Sequence, residues 1–475
     1  MLRENSPEWW EQEGEKKALA TFHEAAKRVP AYKDFLKKHN VNPEKVVSIE
    51  DFKTHVPVMT KKDYLRQYPL KDLCWDGDLS RMNVISVSSG STGEPFFWPR
   101  DIWQEREVDS WYELVFRYLF DAHKKNTLFI DCYSMGMYVA GPFTFSSVNR
   151  IAQKDYPLMV ATPGIELEDT LNILEKVGNN FDQIIIAAYP PFTKDILETL
   201  EKRNIAFNKS LKFIFGAEAF SEVWRSYIHK KIKAADDMNS VNTYGSADSA
   251  ILAMETPLSI QIRRNAAKSK KISTLLFGNE RVPALFQYNP LFKFFEVTDT
   301  NSLIFTSSSG LPLIRYEIGD NGGLRSGNSL IHDLRLEGTK NLENSWLLPY
   351  IFLYERADFT VHLYGLNIYI DNVKAAIETE GPSEFLTGRF TMFTDIKRNM
   401  DQALTVYFEL KQGVKSSRVV TNTVKKILTA VLKEKNSEYN RLSKAIGKKS
   451  QPVVRVIEYG DKRYFTQGTK QRWIR

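Results

Sequence analysis

Strand-like and helix-like runs alternate through the first half of this sequence, and this alternation limits its possible folds more than any other feature. Apolar residues occupy consecutive positions in NTLFID, FDQIIIAAY and SLKFIFGAE, and runs with helical spacing such as PPFTKDILETLEKRN come between them. Repeated strand–helix pairs are typical of a parallel sheet with crossover helices, and consecutive apolar positions indicate strands covered on both faces. From about Thr298, glycine-containing runs such as SLIFTSSSGLPLIRYEIGD favour antiparallel pairing. The pattern predicts an α/β fold with mixed sheets.

The charge distribution indicates a separate unit at the C-terminal end. From Tyr354 to Arg475 there are 22 lysines and arginines against 13 aspartates and glutamates, an excess larger than the whole chain's net charge of +7. One helical run, SRVVTNTVKKILTAVLKE, lies there between the strand-like runs ALTVYFEL and PVVRVIEY. Because 475 residues exceed what one core usually contains, we predict a large N-terminal α/β domain, 1–355, and a small α+β domain, 356–475. The basic surface of the small domain is either simply solvated or holds a polyanionic nucleotide or coenzyme.

Composition restricts the compartment and the class of protein. Cys74 and Cys132 are the only cysteines, so a disulfide framework is not expected. The first residues are charged throughout, and the apolar runs are far shorter than the ~20 residues that span a bilayer. The scattered histidines show no zinc-binding spacing such as H-E-x-x-H. We expect a soluble, cytoplasmic protein without membrane insertion and without a nucleic-acid partner.

The segment SVSSGSTGEPFFW, residues 86–98, is the first candidate for a binding site. Six consecutive residues in it bear hydroxyls or are glycines, namely Ser88, Ser89, Gly90, Ser91, Thr92 and Gly93. Glycines let the backbone approach a phosphate closely, and hydroxyls and N–H groups donate to its oxygens. The segment is neither a G-x-x-x-x-G-K-[ST] P-loop nor a G-x-G-x-x-G turn. By itself it fits either a polar surface turn or a phosphate-binding loop.

Further motifs follow this segment along the chain. They are TYGSAD (243–248), LIRYEIGD (313–320), ERADFTVHLYGLNIY (355–369) and GTKQRW (468–473). The ordered set resembles the adenylate-forming superfamily of acyl- and aryl-CoA ligases, adenylation domains and luciferases. Within that superfamily, VPVMTKKDY, YPPF, GAEAFSE and PLIRYEIGD are most similar to the phenylacetate-CoA ligase branch. The resemblance covers the sequence from about Val56 to its last residue.

The resemblance implies both an architecture and a reaction. The large domain would bind ATP and the acyl substrate, and the C-terminal domain would be a mobile lid. A carboxylic acid, ATP and magnesium (Mg2+) would give an acyl-adenylate and pyrophosphate, and a nucleophile would then take the acyl group. CoA is the acceptor expected for this branch, and an amine or a carrier-protein thiol is the alternative. The loop 88–93 would hold the triphosphate.

The resemblance also implies roles for individual residues. Besides the loop 88–93, the implied ATP or AMP contacts are Gly216, Ala217, Glu218, Tyr244, Gly245, Ser246, Asp320 and Arg356. Tyr244 would stack on adenine, and Asp320 would accept hydrogen bonds from both ribose hydroxyls. Lys470 would be the catalytic lysine that the lid brings to the carboxylate and the α-phosphate. Arg315 is a further candidate contact for an anionic ligand.

Two positions depart from the superfamily pattern. Asp248 lies where the superfamily usually has a magnesium-binding glutamate, so the metal could shift, bind through water or bind more weakly. Glu355 replaces the glycine of the usual Gly-Arg-x-Asp at the implied hinge, Asp358, and glycine tolerates backbone dihedrals that glutamate does not. These departures leave open a non-catalytic relative that binds ATP without turnover.

The acyl pocket is expected beside YSMGMYVAGPFTF, residues 133–145. Its predicted lining is Tyr133, Ser134, Gly136, Gly141 and Tyr189. Such an apolar slot with aromatic walls suits an aryl or medium-length acyl carboxylate. The run CYSMG, 132–136, also nearly matches the G-x-S-x-G nucleophile elbow, with Cys132 at its first glycine. A serine acyltransferase or hydrolase with Ser134 as nucleophile is therefore the alternative from a different class.

Overall fold

The computed structural model describes residues 2–87, 96–205, 209–217, 219–234, 237–339, 346–354, 360–363, 366–396, 402–465 and 473–474. Several predicted site residues lie outside these ranges, namely Ser88, Ser89, Gly90, Ser91, Thr92, Gly93, Glu218, Arg356, Asp358 and Lys470. The predicted boundary between residues 355 and 356 lies outside them too. Of the helices that are described, none is long and apolar enough to cross a membrane.

Helices and strands alternate over most of the described chain. The helices are α1 (Pro7–Arg28), α2 (Pro30–Lys38), α3 (Ile49–His55), α4 (Ile102–Tyr118), α5 (Ala140–Ala152), α6 (Leu167–Lys176), α7 (Pro190–Lys202), α8 (Glu222–Lys231), α9 (Pro257–Lys268), α10 (Lys270–Phe277), α11 (Gly327–Leu336), α12 (Ile370–Ile377), α13 (Pro382–Phe385), α14 (Arg418–Lys435) and α15 (Ser437–Ile446). The strands are β1 (Val84–Val87), β2 (Phe97–Arg100), β3 (Thr127–Asp131), β4 (Leu158–Ala161), β5 (Gln183–Ala188), β6 (Ser210–Gly216), β7 (Ser240–Ser246), β8 (Ala250–Met254), β9 (Ala284–Gln287), β10 (Phe294–Val297), β11 (Ser302–Ser307), β12 (Leu313–Arg325), β13 (Tyr350–Tyr354), β14 (Thr360–Leu363), β15 (Leu366–Tyr369), β16 (Leu386–Ile396), β17 (Gln402–Leu410) and β18 (Val453–Ile457).

A large mixed sheet organises the N-terminal part of the chain. It has eleven strands in the order β10-β11-β12-β13-β9-β8-β7-β6-β5-β3-β4. The strands β3 to β7 pair in parallel, whereas β8 to β13 pair antiparallel. Every residue of β3 and β5 is buried, as expected for strands with helices on both faces. The predicted α/β fold with mixed sheets is confirmed.

Antiparallel pairing begins well before Thr298, where the sequence indicated it. β7 ends at Ser246 and β8 begins at Ala250, and the two strands pair antiparallel. Three connecting residues are too few for a crossover, so the chain must return beside the strand it has left. Because β6 runs parallel to β7 with Gly216 opposite Thr243, the β7–β8 turn lies at the sheet edge where β6 ends.

A separate two-stranded sheet flanks residues 88–95. In this hairpin β1 pairs antiparallel with β2, with Val87 opposite Phe97 and Val84 opposite Arg100. The strand predicted from NVISVS is therefore present. It leads directly into the segment that the sequence indicated as a phosphate-binding loop.

The residues after Tyr354 have a hydrophobic core of their own. The buried cluster in this part runs from Val361 to Trp473, and the other clusters of described residues include none beyond Tyr354. Its sheet has the order β16-β17-β18, with β17 and β18 parallel. The helices α14 and α15 lie between those two strands in sequence and supply the crossover that a parallel pair needs. The cores thus divide between Tyr354 and Val361.

Candidate active site

Tyr244 and Asp320 meet although they lie 76 positions apart in sequence. β7 carries Tyr244 and β12 carries Asp320, and the tyrosine hydroxyl donates a hydrogen bond of 2.6 Å to Oδ2 of the aspartate. The Tyr244 ring also stacks on Phe286, with ring centroids 5.9 Å apart and an interplanar angle of 29°. The two residues that the resemblance implied as adenine and ribose contacts are therefore in direct contact.

The end of β6 brings the predicted nucleotide and acyl segments into contact. A Cβ atom at Gly216 would lie 2.9 Å from Oγ1 of Thr243 and 3.0 Å from the hydroxyl oxygen of Tyr133. Both hydroxyls are held, because Thr243 donates to the carbonyl of Phe215 at 2.9 Å and Tyr133 donates to that of Ile214 at 3.0 Å. Only glycine fits this approach. The acyl-pocket residue Tyr133 thus touches the segment expected to line the adenine pocket.

Ala217 adopts a left-handed backbone conformation with φ of 66°. An alanine in this region carries a strain of about 1 kcal/mol or more, which persists only where the surrounding structure holds it. Together with Gly216, this residue turns the chain sharply out of the sheet.

The predicted acyl-pocket residues cluster between β3, β5 and α5. The rings of Tyr133 and Tyr189 pack edge to face, with centroids 5.2 Å apart. A Cβ atom at Gly141 would lie 2.6 Å from the carbonyl oxygen of Ser134, so the first turn of α5 packs directly on the CYSMG turn. Gly136 has a φ of 87° in that turn and a Cβ there would meet no atom within 4 Å. CYSMG is therefore a strand-to-helix turn in which Cys132 to Ser134 are buried, whereas Met135 and Gly136 are exposed.

Asp248, the predicted metal ligand, is engaged by two other side chains. The Lys61 ammonium lies 3.2 Å from its Oδ1, and the Tyr316 hydroxyl donates to its Oδ2 at 2.6 Å. An ammonium so close repels a divalent cation from the same carboxylate. This arrangement does not fit direct coordination of magnesium by Asp248. Among the described residues, no group of three or more His, Cys, Asp or Glu side chains could hold a metal ion.

Arg315 is a structural residue, contrary to its suggested role as a contact for an anionic ligand. Its Nη2 atom lies 3.1 Å from Oε1 of Glu296, and Nη1 donates to the carbonyl of Val56. The backbone around it pairs with Met59, whose N–H donates to the Arg315 carbonyl at 3.1 Å. The guanidinium therefore attaches the VPVMTKKDY segment to β12 and thereby positions Lys61.

The C-terminal part contacts the segment that follows Gly216. The ammonium of Lys374, on α12, donates to the carbonyl of Ala219 at 3.2 Å. The hydroxyl of Ser221 donates to the carboxyl group of Glu378, just after α12. Burial raises the pKa of Glu378 to about 7, although that hydrogen bond and the Lys374 charge oppose the shift. A movement of this part relative to the large sheet would therefore act on the chain beside Gly216.

α7 forms a second, charged contact with the C-terminal part. The Lys194 ammonium donates to the carbonyl of Leu386 at 3.0 Å, and Lys411 lies 2.6 Å from Oε1 of Glu198. Burial raises the pKa of Asp195 to about 7, although the charges of Arg389 and Lys194 oppose the shift. Burial also lowers the pKa of Lys194 to about 8. The contact between α7 and the C-terminal part thus consists of ionisable side chains that are largely buried.

Sequence reasoning did not select Lys61 or Tyr316 as site residues. Both lie in motifs that carried the resemblance, VPVMTKKDY and LIRYEIGD. Their common partner Asp248 is 187 positions from Lys61 and 68 from Tyr316. Membership of these motifs was the available signal, whereas the pairing itself depends on tertiary contacts.

No protein-family model and no curated protein sequence matches this chain. Solved structures share its fold at low sequence identity. A 2-hydroxyisobutyryl-CoA ligase in the postadenylation state, in complex with R3-HIB-AMP, is 14% identical with a TM-score of 0.68, over 98% of this chain and 89% of that one. The same ligase in an open conformation with 2-HIB-AMP and CoA has 14% identity and a TM-score of 0.54, over 98% and 91%. The AtGH3.15 acyl acid amido synthetase in complex with 2,4-DB is 15% identical with a TM-score of 0.56, over 100% and 95%. The predicted fold of the adenylate-forming enzymes is thereby confirmed.

Proposed function

We propose that this chain, which has the fold of the adenylate-forming enzymes, uses ATP to adenylate a carboxylic acid and then transfers the acyl group to a thiol. The observation that carries the proposal is the 2.6 Å hydrogen bond from Tyr244 to Asp320. It joins the residue expected to stack on adenine to the residue expected to hold the ribose. In the proposed complex, ATP bound there would direct its phosphates toward the β7–β8 turn and the hairpin that flanks residues 88–95.

The neighbouring segments supply the remaining parts of the reaction. Tyr133 and Tyr189 would form the aromatic wall of the proposed acyl pocket, and the contact of Tyr133 with Gly216 supports a position of this wall beside the nucleotide. The acid would then lie close to the α-phosphate, and positioning of this kind supplies much of the rate in such transfers. We assign the loop 88–93 to the triphosphate and Lys470 to the carboxylate and α-phosphate, as the resemblance implies. Magnesium would accompany the ATP phosphates rather than bind to Asp248.

We propose residues 356–475 as the lid, with Asp358 as its hinge. The division of the hydrophobic cores between Tyr354 and Val361 supports this boundary. The better match to the ligase in its postadenylation state than in its open state supports a lid that changes position during the reaction. The phenylacetate-CoA ligase branch and a cytoplasmic location complete the proposal. The two cysteines are free and buried, which is in keeping with a reducing compartment.

CoA is the acceptor that we propose, and an amine is the second candidate. The structurally similar 2-hydroxyisobutyryl-CoA ligase favours CoA. The acyl acid amido synthetase favours an amine, because the match covers all of this chain and 95% of that one. A carrier-protein thiol remains a third acceptor with the same chemistry.

ATP–pyrophosphate exchange across a panel of aryl and medium-length aliphatic acids tests the first half-reaction. We expect at least one acid to support exchange, Lys470→Ala to abolish it and ATP binding to survive in that variant. The exposed Lys462→Ala, from the same C-terminal segment, is the matched control and should exchange normally. Absence of exchange with every acid would refute the proposal. Acyl transfer without ATP that is lost in Ser134→Ala would favour the serine enzyme instead.

The acceptor is tested with the acid that gives exchange. The enzyme, ATP and this acid are incubated with CoA or with a mixture of amino acids, and AMP and acylated products are measured by mass spectrometry. An acyl-CoA thioester formed together with AMP is the expected result. Formation of an amide without a thioester would identify an amine, instead of CoA, as the acyl acceptor.

A further inference from the structure

Arg100 is a buried cation whose contacts among the described residues are with neutral groups. It lies at the end of β2 with 0% of its surface exposed. Its guanidinium donates to the hydroxyl of Ser86 at 3.3 Å, to the side-chain carbonyl of Gln104 at 3.0 Å and to the main-chain carbonyl of Ala247. Among the described residues no carboxylate forms an ion pair with it. Buried arginines are normally paired with an anion, because an uncompensated charge in the interior is costly.

The carboxylates nearest to this guanidinium have closer partners. Burial lowers the pKa of Arg100 to about 10, and the charges of Asp248 and Asp101 only partly oppose that shift. Asp248 is bound by Lys61 and Tyr316, and Asp101 accepts the N–H of Gln104 at 2.9 Å as the N-cap of α4. Arg100 therefore stays protonated at neutral pH, and within the described ranges no carboxylate forms an ion pair with it.

The three groups that Arg100 contacts belong to elements around the proposed phosphate site. Ser86 lies on β1, which leads into residues 88–95, and Ala247 lies in the β7–β8 turn next to Asp248. The side chain of Gln104 packs closely against Gly310, where an added Cβ atom would lie only 2.7 Å from Oε1 of Gln104. The Phe143 ring covers the guanidinium, with its centroid 5.1 Å away. The planar fork of the arginine thus connects the hairpin, α4 and the large sheet at one point.

We propose that Arg100 is a positioning residue for the phosphates of ATP, an inference that rests on the proposed function. It would act in two ways without touching the nucleotide. Its hydrogen bonds fix the distance between β1 and the β7–β8 turn. Its positive charge, which no described carboxylate pairs, attracts a polyanion because the protein interior screens charge only weakly. The attraction should increase with the number of phosphates on the ligand, whereas a purely structural residue would affect adenosine, AMP and ATP alike.

Binding of adenosine, AMP and ATP to Arg100→Gln and Arg100→Lys tests the electrostatic part, by titration calorimetry with circular dichroism as a check of folding. In Arg100→Gln we expect ATP binding to weaken about tenfold or more relative to adenosine, with AMP intermediate. Arg100→Lys keeps the charge and should keep the ratio of ATP to adenosine affinity within about threefold of the unmodified protein. Arg203→Gln, an exposed arginine paired with Glu168, removes the same net charge and should leave the ratio unchanged. Equal weakening of all three ligands in Arg100→Gln would overturn the electrostatic part.

Ser86→Ala tests the positioning part and stays informative if the arginine variants fail to fold. It removes one of the three acceptors and leaves the charge in place. We expect kcat for pyrophosphate exchange to fall about threefold or more while the KM for ATP changes little. The variant keeps the positive charge of Arg100, but it loosens the position of β1 relative to the β7–β8 turn. Unchanged exchange in Ser86→Ala would overturn this part. An unmodified protein that binds no ATP would instead refute the proposed function, so the two failures are distinguishable.

Discussion

The ammonium of Lys61 lies 3.2 Å from Oδ1 of Asp248, whose other carboxylate oxygen accepts a hydrogen bond from Tyr316. The Lys61 side chain is 29% exposed and that of Asp248 is 7% exposed, so solvent screens the pair only in part. The ion pair joins the N-terminal helical segment to the β7–β8 turn. The same lysine is well placed to contribute positive charge to the proposed phosphate site.

Lys61→Met should impair both stability and use of ATP. Loss of this partly buried pair leaves Asp248 without its cation and should lower the free energy of unfolding by about 1–2 kcal/mol. The KM for ATP should rise about fivefold or more, because the variant lacks a cation near the proposed phosphate site. Urea unfolding and pyrophosphate exchange measure the two effects. The neighbouring exposed lysine provides the control Lys62→Met, and equal behaviour of the two variants would contradict the assignment.

Asp248→Asn should lower activity without changing the magnesium requirement. The substitution removes the negative charge that holds Lys61 but no metal ligand, because the aspartate oxygens already bind Lys61 and Tyr316. Exchange rates at a series of free Mg2+ concentrations measure the half-saturating value. A large increase in that value would show instead that Asp248 binds the metal during the reaction.

Tyr244→Phe should weaken the binding of the nucleoside. The variant keeps the ring on Phe286 but removes the hydrogen bond that orients the Asp320 carboxylate, worth about 1.5–3 kcal/mol when one partner is charged. We therefore expect adenosine and ATP affinities to fall by a similar factor, about tenfold or more. Titration calorimetry measures both. Tyr439→Phe loses a hydrogen bond to Ser450 in the C-terminal core and should lower stability without this effect.

Gly216→Ala and Tyr133→Phe should be coupled. A methyl group at Gly216 would lie 2.9 Å from Oγ1 of Thr243 and 3.0 Å from the hydroxyl of Tyr133, and such overpacking costs about 1–3 kcal/mol. Removing that hydroxyl makes room, so the double variant should be more stable than the sum of the single effects predicts. A double-mutant cycle by urea unfolding measures the coupling. Simple additivity would mean that the two residues do not touch in solution.

The contact between α7, α12 and the C-terminal core should weaken as the pH rises from about 4 to about 7. The pKa values of Glu378 and Asp195 are raised to about 7, from ordinary values of about 4, so in this interval the folded protein binds more protons than the unfolded chain. Their contribution is complete below about pH 4 and is lost as the pH passes 7. The lowered pKa of Lys194, about 8, gives the opposite trend between about pH 8 and 10.5.

Unfolding by urea at pH 5, 6 and 7.5 measures this dependence. The doubly substituted Asp195→Asn, Glu378→Gln protein should show a flatter decline of the unfolding free energy than the unmodified protein. Glu434→Gln, which alters an exposed carboxylate on α14, should keep the original slope. A slope unaffected by the double substitution would assign the pH dependence to other groups.

Much of the fold could be predicted because its signals are local. Consecutive apolar positions in FDQIIIAAY identified β5, and the helical spacing of SRVVTNTVKKILTAVLKE identified α14. The change to antiparallel pairing was placed too late, because the three-residue connection after Ser246 carries no obvious turn glycine. The resemblance also selected Tyr244 and Asp320, each from a short run of residues, and the structure brings these two side chains into contact.

The partners of charged residues could not be predicted in the same way. Arg315 and Asp248 each seemed suited to a ligand by residue type, and the folded chain gives them Glu296, Lys61 and Tyr316 instead. Residue type sets what a side chain can bind, but the nearest opposite charge depends on which distant segments the fold brings together. Arg100 is the opposite case, a residue that only the structure identifies as a candidate. Nothing in the neighbouring sequence distinguishes a buried arginine from a solvated one.

By itself, the sequence determined the α/β class, several of the strand–helix pairs and the motifs that indicate adenylate chemistry. These depend on local backbone preferences and on apolar periodicity, which act over a few residues. Only the tertiary structure decided that the Lys61 ammonium lies against Asp248, and that no carboxylate of the described residues forms an ion pair with Arg100. Electrostatic energy falls with distance and rises with burial, and both quantities are set by contacts between residues far apart in the chain.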